Sequence, residues 1–404
     1  MILRILPLLL VTCLLPDIYI YYWHLRKPSI PRWAKVTYWG PTALLLFFAV
    51  WLTYTESLTP ENMDAIILYL AAYMLLALPK TTYMLVSLLG KLIGLLFHPY
   101  RKANTPVSFA AGFVVFCMMV CGLSFGPTLL KVQQSSFQSE MLPKEFEGYK
   151  IVQISDLHLT SMKTHPQFVK ELVKTINAQQ PDIICFTGDL VSTDVAELYP
   201  FVDDLSRLKA KDGVFSILGN HDYMTYAKYM TPLEKSQKFH ELLALQEKMG
   251  WKLLLNEHSV IHRGQDSIAI LGVENDGKPP FPERGDLNKA QEGLNLNVPL
   301  FKLLLSHDPS HWKRKVLPTT DIQLTLSGHT HGMQFMIGNW SPAQYLYPEW
   351  KGMYQEKSRG LHVSLGVGGA LIPFRFGAWP EINVITLHLS LIHISEPTRP
   401  EPIS

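Results

Sequence analysis

Five short stretches carry the residues best suited to chemistry: Asp156-Leu157-His158, Gly188-Asp189, Gly219-Asn220-His221-Asp222, Ser306-His307-Asp308 and Gly328-His329-Thr330-His331. Each offers a carboxylate, an amide oxygen or an imidazole. Mixed carboxylate and imidazole sets suit zinc, manganese or iron. Spacing adds to residue type. Alternate side chains of an extended segment share a face, so Asp156 and His158 point one way, as do His329 and His331. Glycine precedes Asp189, Asn220 and His329, and glycine lets a backbone turn sharply at a strand end. Taken singly, each stretch is an ordinary turn or a helix cap, because aspartate is a favoured N-cap. That explanation fails for all five together, in one order, within one half of the chain.

The elements that must position these groups follow from periodicity. Apolar strand-like runs end where the motifs begin: Ile151–Ile154, Ile183–Thr187, Val214–Leu218, Phe301–Ser306 and Leu324–Ser327. Ser267–Val273, Leu361–Leu365 and Ile382–Leu387 predict further strands. Phe168, Leu172 and Ile176 recur at helical spacing in an amphipathic helix over Pro166–Gln179. Val195–Leu208 and Pro232–Met249 also read as helices. In open α/β sheets, sites form beyond the carboxyl ends of the strands, where ligands from successive strands converge. Other candidates are weaker. His311, four residues after His307, is not needed as a ligand. His258 and His262 read as structural, and His240 as solvent-exposed. Cys185 sits in an apolar strand and reads as small core filler. The basic clusters Lys278–Arg284 and Lys313–Lys315 read as solvated surface, or as contacts to a phosphate-rich substrate or lipid head groups. The aromatic stretch Trp340–Tyr354 either lines a pocket or packs.

The rest of the chain is of another kind. Hydrophobic residues make up 48% and charged residues 17% of the 404, apolar for a wholly soluble protein. The excess lies before residue 131. Val36–Tyr54 and Val107–Leu130 carry no charge and match the roughly 20 residues a helix needs to cross a bilayer. Ile5–Tyr22 is interrupted by Pro16 and Asp17, and Ala65–Phe97 by Pro79, Lys80 and Lys91. Four spans are expected, with three or five as alternatives. Lys80 and Lys91 are the only charged candidates for an ion pathway, and no central ionisable pair is expected. Arg26, Lys27, Arg32, Lys35, Arg101 and Lys102 flank the spans on one side; Glu56, Glu61 and Asp64 lie on the other. Basic loops stay in the cytoplasm, so the domain after the last span is expected outside it. The net charge of +2 predicts no nucleic-acid partner. Only Cys185 lies in the polar half, so no disulfide framework is expected.

Taken in order, the five motifs resemble those of the calcineurin-like metallophosphoesterases, from Tyr149 to about Ser390. Ile154-Ser155-Asp156-Leu157-His158 and Trp379-Pro380-Glu381-Ile382 are similar to the membrane-anchored bacterial branch of that family. Met333 departs from it, standing where that branch often has a second glycine. The resemblance implies a four-layer α/β/β/α sandwich. It implies two divalent metal ions (manganese, iron or zinc, with manganese favoured). Asp156, His158, Asp189 and His331 would hold one; Asp189, Asn220, His307 and His329 would hold the other. It further implies hydrolysis of phosphodiester or pyrophosphate bonds by a metal-bridging hydroxide. His221 would face the substrate, with Asp222 orienting it. The anchor favours a lipid-linked or envelope substrate, and some members of this branch cleave a UDP-2,3-diacylglucosamine-type pyrophosphate. The other classes are a non-catalytic metal-binding membrane scaffold and a transporter or sensor. The expected layout is a helical membrane region over 1–131, a linker over 132–148, the phosphoesterase domain over 149–390, and a disordered or artefactual tail over 391–404.

Overall fold

A computed structural model describes residues 2–54, 59–96, 98, 100–279, 281–295 and 299–390. Glu56 of the acidic loop and the tail over 391–404 lie outside the described residues.

Four of the described helices are long and apolar enough to cross a membrane. The first, α1 (Ile2–Ile20), continues in a π-turn to Leu25. The second is interrupted at Tyr38 and Trp39, between α2 (Arg32–Thr37) and α3 (Gly40–Tyr54). The third, α4 (Pro60–Leu96), is one helix of 37 residues that passes through Pro79 without ending. The fourth is α5 (Tyr100–Ser124).

The expectation of no ionisable pair within the spans is corrected. Asp17 of α1 is fully buried and pairs with Lys80 of α4 at 2.8 Å. The Tyr38 hydroxyl donates to the same carboxylate at 2.7 Å, and Thr42 donates to its other oxygen. Asp17 and Lys80 are far apart in sequence and meet only because α1 packs on α4.

The polar half forms two six-stranded sheets. In the first, β1 (Lys131–Ser139) lies at the edge, parallel to β12 (Glu381–Leu389). Next to β12 come β2 (Lys150–Ile154), β3 (Ile183–Phe186), β4 (Val214–Ser216) and β5 (Trp251–Leu253), parallel to one another. The second sheet runs β10 (Gly352–Glu356), β11 (Arg359–Val363), β9 (Leu324–Ser327), β8 (Phe301–Leu305), β7 (Asp266–Gly272), β6 (Glu257–Arg263). Its inner strands β7, β8, β9 and β11 are parallel.

Alternation within the strands builds the layers. Ile183 and Cys185 face the second sheet, in a core with Ile270, Leu303 and Leu305. Ile184 and Phe186 face outward, against Phe168, Leu172 and Ile176 of α6 (Pro166–Ala178). On the far side, Ala269, Leu271 and Leu304 pack against Leu287 of α9 (Leu287–Gln291) and Trp312. The result is the expected four-layer α/β/β/α sandwich. A further helix, α8 (Pro232–Lys248), starts on a capping box between Thr231 and Glu234, which satisfies two free donors of its first turn.

The helix expected over Val195–Leu208 is absent. Two short 3-10 turns and the four-residue α7 (Val202–Leu205) replace it. Pro200 lacks the N–H a continuous helix would need. The Glu197 carboxylate accepts instead from the backbone N–H groups of Thr160, Ser192, Thr193 and Asp194. That one side chain ties together two of the loops that reach the candidate site.

Candidate metal centre

The five motifs meet beyond the carboxyl ends of strands β2, β3 and β4 of the first sheet and β8 and β9 of the second. Backbone hydrogen bonds lock the loops together. Asp156 N donates to Gly188 O at 2.9 Å, and Gly328 N to His307 O at 2.9 Å. His329 N reaches across the sheets to the Asp156 carboxylate at 3.1 Å. The crossing is tight. A Cβ on Gly219 would stand 2.2 Å from Asp189 Oδ1, and one on Gly328 would stand 2.2 Å from Asp156 Oδ2. Gly188 has φ +94°. Close approach is therefore the need at Gly219 and Gly328, and sharp turning the need at Gly188.

Asp156, His158, Asp189, His329 and His331 all have positive φ, between 40° and 73°. Non-glycine residues adopt this region at a cost, and such strain gathers at functional sites.

The side chains form three overlapping groups: Asp156, His158 and His331; His158, Asp189 and His221; Asp189, His307 and His329. Asp156 Oδ1 lies 3.2 Å from His331 Nε2. The Nε2 atoms of His158 and His331 face each other at 3.1 Å. Asp189 Oδ2 lies 3.5 Å from His158 Nε2 and 3.2 Å from His307 Nε2. His329 Nδ1 completes the cluster, 3.3 Å from His307 Nε2. Asn220 donates from Nδ2 to the Tyr226 hydroxyl at 3.0 Å, while its Oδ1 is buried without a hydrogen-bond partner. A buried acceptor left unpaired costs free energy, and a cation would satisfy it.

Electrostatics fit the same reading. Burial would raise Asp189, but His307, His221 and His158 outweigh it and hold the carboxyl well below the usual range. Asp156 is lowered against burial in the same way, chiefly by His331. Burial drives His158 far down and His329 to about 4. Ionised carboxylates and neutral imidazoles are the forms that bind a metal. His307 is the exception: burial would lower it, but Asp189 and Asp156 raise it to about 10. A cation taking their charge removes the reason for that proton.

Outer partners orient the ring nitrogens. His307 Nδ1 donates to Thr187 O at 2.8 Å, which leaves Nε2 free toward Asp189. His221 Nδ1 meets Ser192 O at 2.8 Å, and its ring stacks on Tyr226, centroids 4.3 Å apart. Asp222 does not orient His221, contrary to expectation. Its carboxylate accepts from the backbone N–H groups of Asp189, Leu190, Val191 and Gly219, at 2.8–3.2 Å. It shapes the Asp189 loop, and a carbonyl holds His221 instead. His311 stays outside the cluster, bonded to Ser306 Oγ at 2.8 Å.

Several neighbours escaped the sequence. Tyr347 bonds His329 Nε2 at 2.8 Å; it lies in the aromatic stretch already singled out, so the signal was present without its role. Ser192 contacts His158 Nδ1 through its hydroxyl at 3.3 Å. Arg375 is fully buried, with Nη2 3.2 Å from His331 Nδ1. Nothing but its place between Phe374 and Phe376 marked it.

Ligand-bearing loops beyond the parallel strands of two packed sheets are the architecture of a metallophosphoesterase. Comparison with known proteins narrows this class. Residues 149–333 match the family model described as Calcineurin-like phosphoesterase. Residues 3–127 match one described as Probable Calcineurin-like phosphoesterase, transmembrane domain. An uncharacterized metallophosphoesterase of Bacillus subtilis, YkuE, is 33% identical over 271 residues, spanning 65% of this chain and 86% of that protein. The chain belongs to the calcineurin-like phosphoesterase family, and it is a membrane protein whose enzyme domain hydrolyses phosphoester bonds. A Bos taurus protein named Transmembrane protein with metallophosphoesterase domain is 30% identical, over 74% of this chain and 66% of its own length. The UDP-2,3-diacylglucosamine pyrophosphatase LpxG of Chlamydia trachomatis is 29% identical, over 63% of this chain and 88% of its own length.

Proposed function

We propose that this protein hydrolyses phosphodiester or pyrophosphate bonds with a pair of divalent cations, manganese favoured, and that its substrate is lipid-linked or part of the cell envelope. The observation that carries this is the overlap of two ligand groups at Asp189. Asp156, His158, Asp189 and His331 would hold one ion; Asp189, Asn220, His307 and His329 would hold the other. Such a pair supplies Lewis-acid stabilisation of charge at phosphorus and an activated water.

The chain's own residues do the rest. Thr187 and Ser192 fix the rings of His307 and His221. With its Nδ1 on the Ser192 carbonyl, His221 offers Nε2 to the substrate, to stabilise a phosphoryl oxygen or protonate the leaving oxygen. Asp222 holds the Asp189 loop in its strained shape. The layout expected from the sequence, membrane region 1–131, linker 132–148 and catalytic domain 149–390, accompanies this reading with one change: most of the first half of the linker is β1, an edge strand of the catalytic domain's first sheet. The basic loops support a location of that domain outside the cytoplasm. A more specific form is cleavage of a UDP-2,3-diacylglucosamine-type pyrophosphate, the activity in the name of the Chlamydia relative.

Hydrolysis of bis-p-nitrophenyl phosphate by the detergent-purified chain tests the reaction. Manganese-dependent turnover should fall by about 10²–10⁴ in His221→Ala, the usual contribution of a proton-transferring group. Bound metal without turnover on this diester or on lipid pyrophosphates would favour the scaffold instead.

A further inference from the structure

The face of the catalytic domain that bears the metal centre is also the face joined to the membrane helices. Arg375 N donates to Gly122 O near the end of α5 at 3.0 Å. A Cβ on Gly122 would stand 2.2 Å from the Phe374 ring, so the strap over 370–376 sits directly against the helix end. The Arg375 side chain reaches from that strap to His331. On the other flank, Met63 at the start of α4 borders a small cleft with Thr160 and Thr193. Those residues lie close to His158 and Ser192 in the chain. Both flanks of the centre thus lie at the level where the helices leave the apolar layer.

One loop at that level leaves several apolar side chains exposed. It runs over 333–346, starting two residues after His331 and ending beside Tyr347, which bonds His329. Gln334 donates to Ile372 O and Phe374 O at 3.1 and 2.7 Å, and Met336 N to Phe376 O at 2.7 Å, fastening the loop to the strap. The loop contains no charged residue. Ile337 is 52%, Trp340 42%, Tyr345 75% and Leu346 55% exposed. Apolar exposure of this kind marks an interaction surface, and tryptophan and tyrosine gather at membrane–water interfaces. Cations stand behind it. Lys278 Nζ lies 4.0 Å from the Tyr347 ring centroid, and Lys351 Nζ lies 3.2 Å from Asn339 Oδ1. Lysines beside an interfacial apolar loop suit lipid phosphates.

We propose that the loop over 333–346 inserts into the head-group region of the leaflet at the carboxyl end of α5. The mouth of the metal centre then opens at the lipid surface, and the phosphate it receives is carried by a lipid. Only this last consequence rests on the hydrolytic reading; the contact does not.

The test needs no turnover. In the full chain with Cys117→Ala and Cys121→Ala, an environment-sensitive dye is attached to Ile337→Cys, Tyr345→Cys or Ser358→Cys, and the protein is placed in phosphatidylcholine–phosphatidylglycerol vesicles. Ser358 is exposed in the turn between β10 and β11, at the opposite end of the strands. The dyes at 337 and 345 should lose most of their intensity to lipids quenching near the head groups and resist aqueous iodide, with the reverse at 358. Iodide quenching at all three positions would overturn the proposal. Shielding from iodide without quenching by lipid would also overturn it, since a second copy or another protein would then cover the loop.

Discussion

At the scale of single residues, Gly219 and Asp222 shape the centre through their contacts with Asp189, without being candidate ligands themselves. A side chain at Gly219 would collide with Asp189 Oδ1 at 2.2 Å. Gly219→Ala should therefore cost about 1–3 kcal/mol, as overpacking does, and lower metal affinity more than stability; calorimetric titration with manganese beside thermal unfolding separates the two. Asp222→Asn replaces one acceptor oxygen by a donor facing backbone N–H groups. Loss of such support for a ligand typically costs 10–100-fold in metal affinity or activity, so manganese affinity should fall in that range while His221, held by Ser192, keeps its orientation. An unchanged affinity would return Asp222 to the role expected from sequence. The residues proposed as ligands were legible as candidates because carboxylate, amide and imidazole types at strand ends are few and ordered, and most of them fall in the clusters that could hold a metal. Ser192, Tyr226, Tyr347 and Arg375 were not, since hydroxyls and a lone arginine acquire meaning only from what folding places beside them. The positive φ angles were equally hidden, because no side-chain type announces a strained backbone.

Among elements, the central strands β2, β3, β7, β8 and β9 stood out as apolar runs because both their faces are covered. The edge strands β6 and β10 are only partly buried, and β5 has one residue fully covered; none left a strong pattern. Among the helices, Pro79 suggested a division that α4 does not make, since a proline within a packed helix bundle need not end the helix. The Asp17–Lys80 pair was missed for a related reason: each residue alone looked like an interruption. Breaking a buried pair by removing one partner typically costs about 3–5 kcal/mol. Asp17→Ala should lower the thermal midpoint in detergent strongly, and adding Lys80→Met should recover much of the loss. Additive losses in the double variant would show that the two charges do not act as a pair.

For the molecule as a whole, two buried histidines outside the candidate metal cluster contribute to a pH response. Burial holds His362 and His311 neutral down to about 4, against 6.5 when unfolded. The unfolded chain takes up their protons first as pH falls. The stability they contribute is complete above pH 6.5 and is lost as pH falls toward 4. Denaturant midpoints should therefore decline over that window. His362→Gln, which keeps a donor for Gln153, should flatten the decline by on the order of 2–3 kcal/mol at pH 4, at 1.36 kcal/mol for each pKa unit. An unaltered pH profile would remove His362 from the explanation.

The central claim is that Asp189 joins two ions into one site. Elemental analysis of the purified full chain, loaded with manganese and freed of excess, tests it most directly beside Asp189→Asn. Two ions per chain, falling to one or none in the variant, are predicted. One ion in the parent chain, or two that survive the loss of Asp189, would contradict the account.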